Sequence, residues 1–208
     1  MRRFVVSCVL LAVASVANAS TTFNLTFTGS SGDLVGPQTF TNNGVSIIAT
    51  GYSSNGVTTD LYAKNLLGDE IGLGMNTGDT TGDHEIYYGT DFIQLNLTNA
   101  LAQSFSSFQI AMNSVTAGES WRIYSTNSAG TLVGATTLLN GTNEGVLDSI
   151  LPTKTYLDIV VTGPSPHGNA LLYEFQGTVP EPATFVLAGS ALLGLALLRR
   201  KKKPSAIV

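Results

Sequence analysis

The carboxylates of this chain crowd most densely into Gly78-Asp79-Thr80-Thr81-Gly82-Asp83-His84-Glu85, with Asp69, Glu70 and Asp91 close in sequence. Calcium takes about six to eight hard oxygen ligands, drawn from carboxylates and backbone carbonyls. Asp79, Asp83 and Glu85 on a glycine-rich loop can supply several of them, so calcium is the one cofactor these residues offer. The spacing departs from an EF-hand loop, which sets acidic groups at alternate positions and ends on a distal Glu. Asp and Gly are also ordinary turn residues, and a solvated turn is the simpler reading of the same stretch.

Other chemistry finds less support. Imidazole nitrogen comes only from His84 and from His167 in Gly163-Pro164-Ser165-Pro166-His167-Gly168. Zinc wants about three or four organised nitrogen or sulfur ligands, which two distant histidines do not provide. A nucleophile needs a base beside it. Serines abound, yet a G-x-S-x-G elbow does not occur. Two carboxylates could form a glycosidase pair, but separation along a chain does not give separation in space. The expectation is therefore no catalytic residue and no enzyme, with a secreted hydrolase as the least favoured alternative. Asn24, Asn96 and Asn140 each open an N-x-T sequon, a match that arises often by chance in a threonine-rich chain.

The elements that hold these residues read as strands. Between residues 20 and 177, short alternating runs of Thr, Val, Ile, Phe and Tyr lie between Gly, Asn, Asp and Ser punctuation. Candidate strands cover 22–28, 45–52, 61–64, 85–88, 92–97, 105–112, 120–125, 131–138, 146–151, 156–162 and 170–178. Regular spacing with turn signals between runs predicts an all-β sandwich or barrel. The clearest hairpin joins Trp121-Arg122-Ile123-Tyr124 to Thr131-Leu132-Val133 through residues 125–130. Trp121 and Ile123 share one face of it, and Trp121 is expected in the core.

Charge narrows the partners. The overall formal charge is −4. Only Lys64, Arg122 and Lys154 of the basic residues lie in the body, against thirteen of the acidic ones, so the body carries −10. A surface without a basic face cannot displace the counterions of a phosphate backbone, and nucleic acid is excluded as a partner. The single cysteine, Cys8, lies near the N-terminus. The body must hold together by core burial without disulfides.

The two ends differ in kind from the body. Arg2-Arg3 precede an apolar run over 4–16, and Ala17-Asn18-Ala19 forms an A-x-A cleavage site before Ser20, the pattern of a signal peptide over 1–19. At the other end Val179-Pro180-Glu181-Pro182 leads into 183–198, which carry no charge, and then into Arg199-Arg200-Lys201-Lys202-Lys203. Sixteen residues make roughly 24 Å of helix at about 1.5 Å each. That is slightly short of a hydrocarbon core of about 30 Å, and flanking residues and snorkelling arginines extend it. The basic cluster keeps 199–208 cytoplasmic, so the body lies on the far side of the membrane. A plain single-span anchor fits the hydrophobicity and charge equally well. It does not need Pro180, Glu181 and Pro182, whose prolines hold the segment extended.

Triplet, helix and basic cluster together resemble the PEP-CTERM domain of bacterial surface proteins. The resemblance implies that an exosortase-type enzyme recognises Pro180-Glu181-Pro182 in a linker over 178–182. It implies that the span at 183–198 holds the chain in the inner membrane until processing, with Arg199 to Lys203 retaining the tail. It also implies a place at the cell surface or in an exopolysaccharide or biofilm matrix, with a structural or adhesive role. A carbohydrate- or calcium-binding module is the alternative. Gly72-Leu73-Gly74-Met75, His84-Glu85-Ile86 and Asp91-Phe92-Ile93-Gln94-Leu95-Asn96-Leu97 resemble segments of PEP-CTERM ectodomains. That likeness implies a jelly-roll-like antiparallel β-sandwich over 20–177, followed by one C-terminal transmembrane helix.

Overall fold

A computed structural model describes residues 22–66, 70–76, 82–89, 91–163 and 168–179. The signal peptide at 1–19, the Pro-Glu-Pro triplet, the span at 183–198 and the basic cluster all fall outside these residues. Among the described residues no helix is long and apolar enough to cross a membrane.

The body, Thr22–Val179, is one compact unit. Its strands are β1 (Thr22–Thr26), β2 (Gly32–Leu34), β3 (Gln38–Asn42), β4 (Val45–Ser53), β5 (Thr58–Thr59), β6 (Leu61–Asn65), β7 (Ile71–Met75), β8 (Ile86–Tyr87), β9 (Asp91–Asn96), β10 (Ser107–Asn113), β11 (Trp121–Thr126), β12 (Thr136–Gly141), β13 (Asp148–Ile150), β14 (Tyr156–Val161) and β15 (Asn169–Thr178). One short helix, α1 (Thr98–Ala102), links β9 to β10.

The strands form two antiparallel sheets. The first runs β13-β10-β15-β7-β6-β2, with β1 and β8 also against β15. The second runs β12-β11-β14-β9-β4-β3, with β5 against β4. The chain crosses repeatedly between them, and inward side chains of both sheets build one core, as a sandwich requires. Trp121, Phe23, Phe105, Phe108 and Phe175 are fully or almost fully buried there. Phe108 and Phe175 stack at 5.4 Å and Phe23 meets Phe105 edge-on at 5.0 Å. The Trp121 indole N–H donates to the Asn143 carbonyl at 3.0 Å, which satisfies the one polar atom that its burial would otherwise strand.

The expected all-β sandwich is present, with four strands and a helix that the alternation did not predict. β3 and β4 are joined by Asn43-Gly44, both at positive φ of 49° and 78°. That dipeptide is the signature of a two-residue hairpin turn. β7 escaped because Gly72 and Gly74 depress strand propensity. β2 and β5 are only three and two residues long.

The β11 hairpin needs correction. β11 does pair antiparallel with its successor, but the partner is β12, with Trp121 opposite Gly141 and Ser125 opposite Thr136. Thr131-Leu132-Val133 lie in the connection, despite their strand-like residue types. The connection folds back over the sheet instead of turning tightly. Gln94 holds it there: its Nε2 donates to the Ser128 carbonyl at 3.2 Å and its Oε1 accepts from the Gly130 N–H at 3.2 Å.

Candidate functional site

The acidic stretch divides in the structure. Asp79 lies outside the described residues, Asp83 is exposed, and Glu85 turns inward. The inward turn begins with β6, where Leu61 and Ala63 alternate with Tyr62 and Lys64. The face bearing Tyr62 and Lys64 is covered by residues 82–85. His84, with φ of 55°, stacks on Tyr62 at 4.0 Å and 12°. A Cβ at Gly74 would stand 2.0 Å from the His84 carbonyl oxygen, so glycine alone permits this approach.

Lys64 and Glu85 are thereby buried together. Lys64 Nζ donates to Glu85 Oε1 at 2.6 Å and is also paired with Glu70. Ser114, held at φ of 58°, donates its hydroxyl to Glu85 Oε1 at 2.9 Å and to Glu70 Oε1 at 3.1 Å. Burial pushes the Glu85 carboxyl up to about 7, although its hydrogen bond with Lys64 pulls the other way. Burial opposes the Lys64 charge, but hydrogen bonds to Glu70 and Glu85 hold its pKa above the usual lysine range. The hydrogen bond from Lys64 lowers the Glu70 carboxyl. Glu85 Oε2 is buried without a hydrogen-bond partner among the described residues.

A second buried carboxylate lies beneath the folded-back connection. Asp158 on β14 stands opposite Gln94 on β9 and Tyr124 on β11. Its Oδ1 accepts from Gln94 Nε2 at 2.7 Å, while Oδ2 has no hydrogen-bond partner among the described residues. Desolvation raises this carboxyl to about 7, opposed by the Gln94 hydrogen bond. The hydrophobic alternation of 156–162 could not reveal it, because a residue on the outward face is normally solvated and only the folded-back connection buries this one.

Other acidic side chains are staples for loop backbone. Glu119 accepts from the Thr116 N–H at 2.6 Å and the Asn169 N–H at 3.2 Å. Glu144 accepts from the Ser114 N–H at 2.6 Å, and Asp60 accepts from the Gly36 N–H at 2.9 Å. Among the described residues no three His, Cys, Asp or Glu side chains gather as a metal site. Asp83 and Glu85 are near neighbours in sequence, but one faces solvent and the other faces Lys64.

Residues 178–201 match the family described as the PEP-CTERM protein-sorting motif. No curated protein and no solved structure matches the chain. The match begins at Thr178, the last residue of β15. The chain thus carries a PEP-CTERM sorting motif, which marks an exported, surface-directed protein processed by an exosortase-type enzyme.

Proposed function

We propose that this protein is a non-catalytic structural or adhesive component of a bacterial surface or exopolysaccharide matrix. It is delivered there by cleavage of its tail at or near Pro180-Glu181-Pro182. The sorting motif at 178–201 carries the proposal. The charge-free run at 183–198 anchors the chain in the inner membrane, and Arg199 to Lys203 retain it until cleavage. The body supplies no reactive group to this step; the chemistry belongs to the processing enzyme.

The non-catalytic reading draws on what the acidic groups do. Glu85, Glu119, Glu144 and Asp60 are engaged with Lys64 or with loop backbone. Such groups hold the sandwich together and are not arrayed toward a substrate.

The test compares intact mass and cell fraction of the wild type with a variant in which Pro180, Glu181 and Pro182 are all alanine. The wild type should lose the residues after the triplet and leave the inner membrane, while the variant keeps them and stays. Retention of the full tail by both would reduce it to an anchor.

A further inference from the structure

We propose that the groove between α1 and the outer face of the second sheet binds a neutral saccharide. The inference rests on the adhesive reading of the body and gives that reading a site. The groove measures about 510 Å³, within the range of about 300–1,000 Å³ typical of small-ligand sites. Its floor is one cross-strand row. Thr39 on β3 stands opposite Ile48 on β4, and Ile48 stands opposite Asn96 on β9. Asn99 and Ala102 of α1 form the wall.

The two asparagines are set in advance. Asn96 Oδ1 accepts from the Thr98 N–H at 2.9 Å and from the Thr98 hydroxyl at 2.6 Å. Asn99 Oδ1 accepts from the Ser46 N–H at 2.9 Å and from Gln103 Nε2 at 2.8 Å. Backbone N–H groups can only donate, so these contacts fix which end of each amide is oxygen. Each Nδ2 is left as an oriented donor. Thr39 adds a hydroxyl, which can donate or accept. Between these polar groups Ile48 is 39% exposed, and most of the surface that lines the groove is apolar.

That arrangement suits a pyranose, with hydroxyls at the ring edge and C–H groups on its face. None of the residues lining the groove is ionisable, so it offers nothing to offset a charged ligand. A peptide strand needs a free ladder edge. The floor is the face of a paired strand: β4 has β3 on one side and β9 on the other. An open site with a few donors and one aliphatic contact favours weak, repeated binding along a polymer over tight capture of one sugar.

The test is saturation-transfer NMR on the full-length chain in a sugar-free detergent, with cellohexaose and isomaltohexaose as neutral probes and hexagalacturonate as the charged control. Thr39→Arg and Ala102→Glu place bulk and charge in the groove from exposed positions, and each variant is used only if its Tm matches the wild type. Ring-proton transfer to at least one neutral hexasaccharide, lost at least fivefold in the variants, is the expected result. Three results overturn the proposal: no transfer at about 5 mM probe, enough to fill most of a site with a millimolar Kd, transfer unchanged by the variants, or equal transfer to hexagalacturonate. Sedimentation showing a dimer that the variants dissolve would assign the groove to a second copy instead. The tail-processing test reads none of these signals, so either proposal can fail while the other stands.

Discussion

Lys64 is one of three cations in a body with thirteen carboxylates, and it lies 6% exposed between two of them. Removing one partner of a buried ion pair leaves the other charge uncompensated, which costs about 3–5 kcal/mol. Lys64→Met should therefore destabilise the body by about that amount at pH 8, where Glu85 is ionised. At pH 5 the loss should be smaller, because Glu85 titrates near 7 and is neutral there. Glu85→Gln added to Lys64→Met should recover part of the loss. Urea unfolding of the single and double variants at both pH values measures the coupling. Asp158 gives the opposite expectation, since its carboxylate has no cation to lose. Its pKa rises from 3.8 to about 7 on folding, so the folded state binds the proton more tightly. Stability is full below pH 3.8 and declines as pH climbs toward 7. Asp158→Asn removes this charge and should raise stability at pH 8, by at most about 4 kcal/mol at about 1.4 kcal/mol per unit. Near pH 4 the variant and the wild type should melt alike.

At the scale of elements, glycines without side chains decide which surfaces can meet. Gly141 on β12 faces Trp121 on β11, and a Cβ there would stand 2.1 Å from Trp121 Cζ2. Gly74 on β7 faces the His84 carbonyl at 2.0 Å. A ring can tilt more cheaply than a backbone can shift, so Gly74→Ala should cost more than Gly141→Ala. Overpacking of this kind costs about 1–3 kcal/mol, read as a shift in the urea midpoint. Gly74→Ala should also lift residues 82–85 from β6, exposing Glu85 and returning its pKa toward 4.5, as a titration followed by NMR would record. Such contacts explain what the sequence made legible. Alternation located strands wherever one face was apolar, as in β4, β9, β11 and β14. It missed β7, whose glycines serve an approach from a distant segment, and misplaced β12, whose connection is pinned by Gln94 from another strand. β3 was also missed, although its Asn43-Gly44 turn carries a hairpin signature. Lys64 and Asp158 were not legible as buried groups, because what buries each of them is a loop whose path no local pattern encodes.

For the molecule as a whole, these local shifts combine with the overall charge to set an unusual response to pH. Most proteins lose stability in acid because paired carboxylates must be protonated. Here Glu85 and Asp158 are both raised to about 7 by desolvation. Each contributes stability that falls as pH rises from its unfolded value near 4 toward 7. Glu70, lowered by its hydrogen bond with Lys64, acts in the reverse sense, losing its contribution as pH falls through its lowered pKa. It is one group against two, and it is partly solvated. Mutual repulsion in a body at −10 acts in the same direction as Glu85 and Asp158, and it is long-ranged enough for salt to screen it. Thermal stability should thus be highest near pH 4, about where the unfolded carboxyls titrate, and decline toward pH 8. Added sodium chloride should recover part of the decline, while the share due to the two buried carboxylates should resist salt. Asp158→Asn should remove its own part of the salt-resistant share, leave the part due to Glu85, and change the salt-dependent share little. Melting curves from pH 4 to pH 8 at low and high salt separate the two. A Tm that rises steadily from pH 5 to pH 8 would mean that Glu85 and Asp158 are solvated when folded, and that the loops placed over them do not cover them.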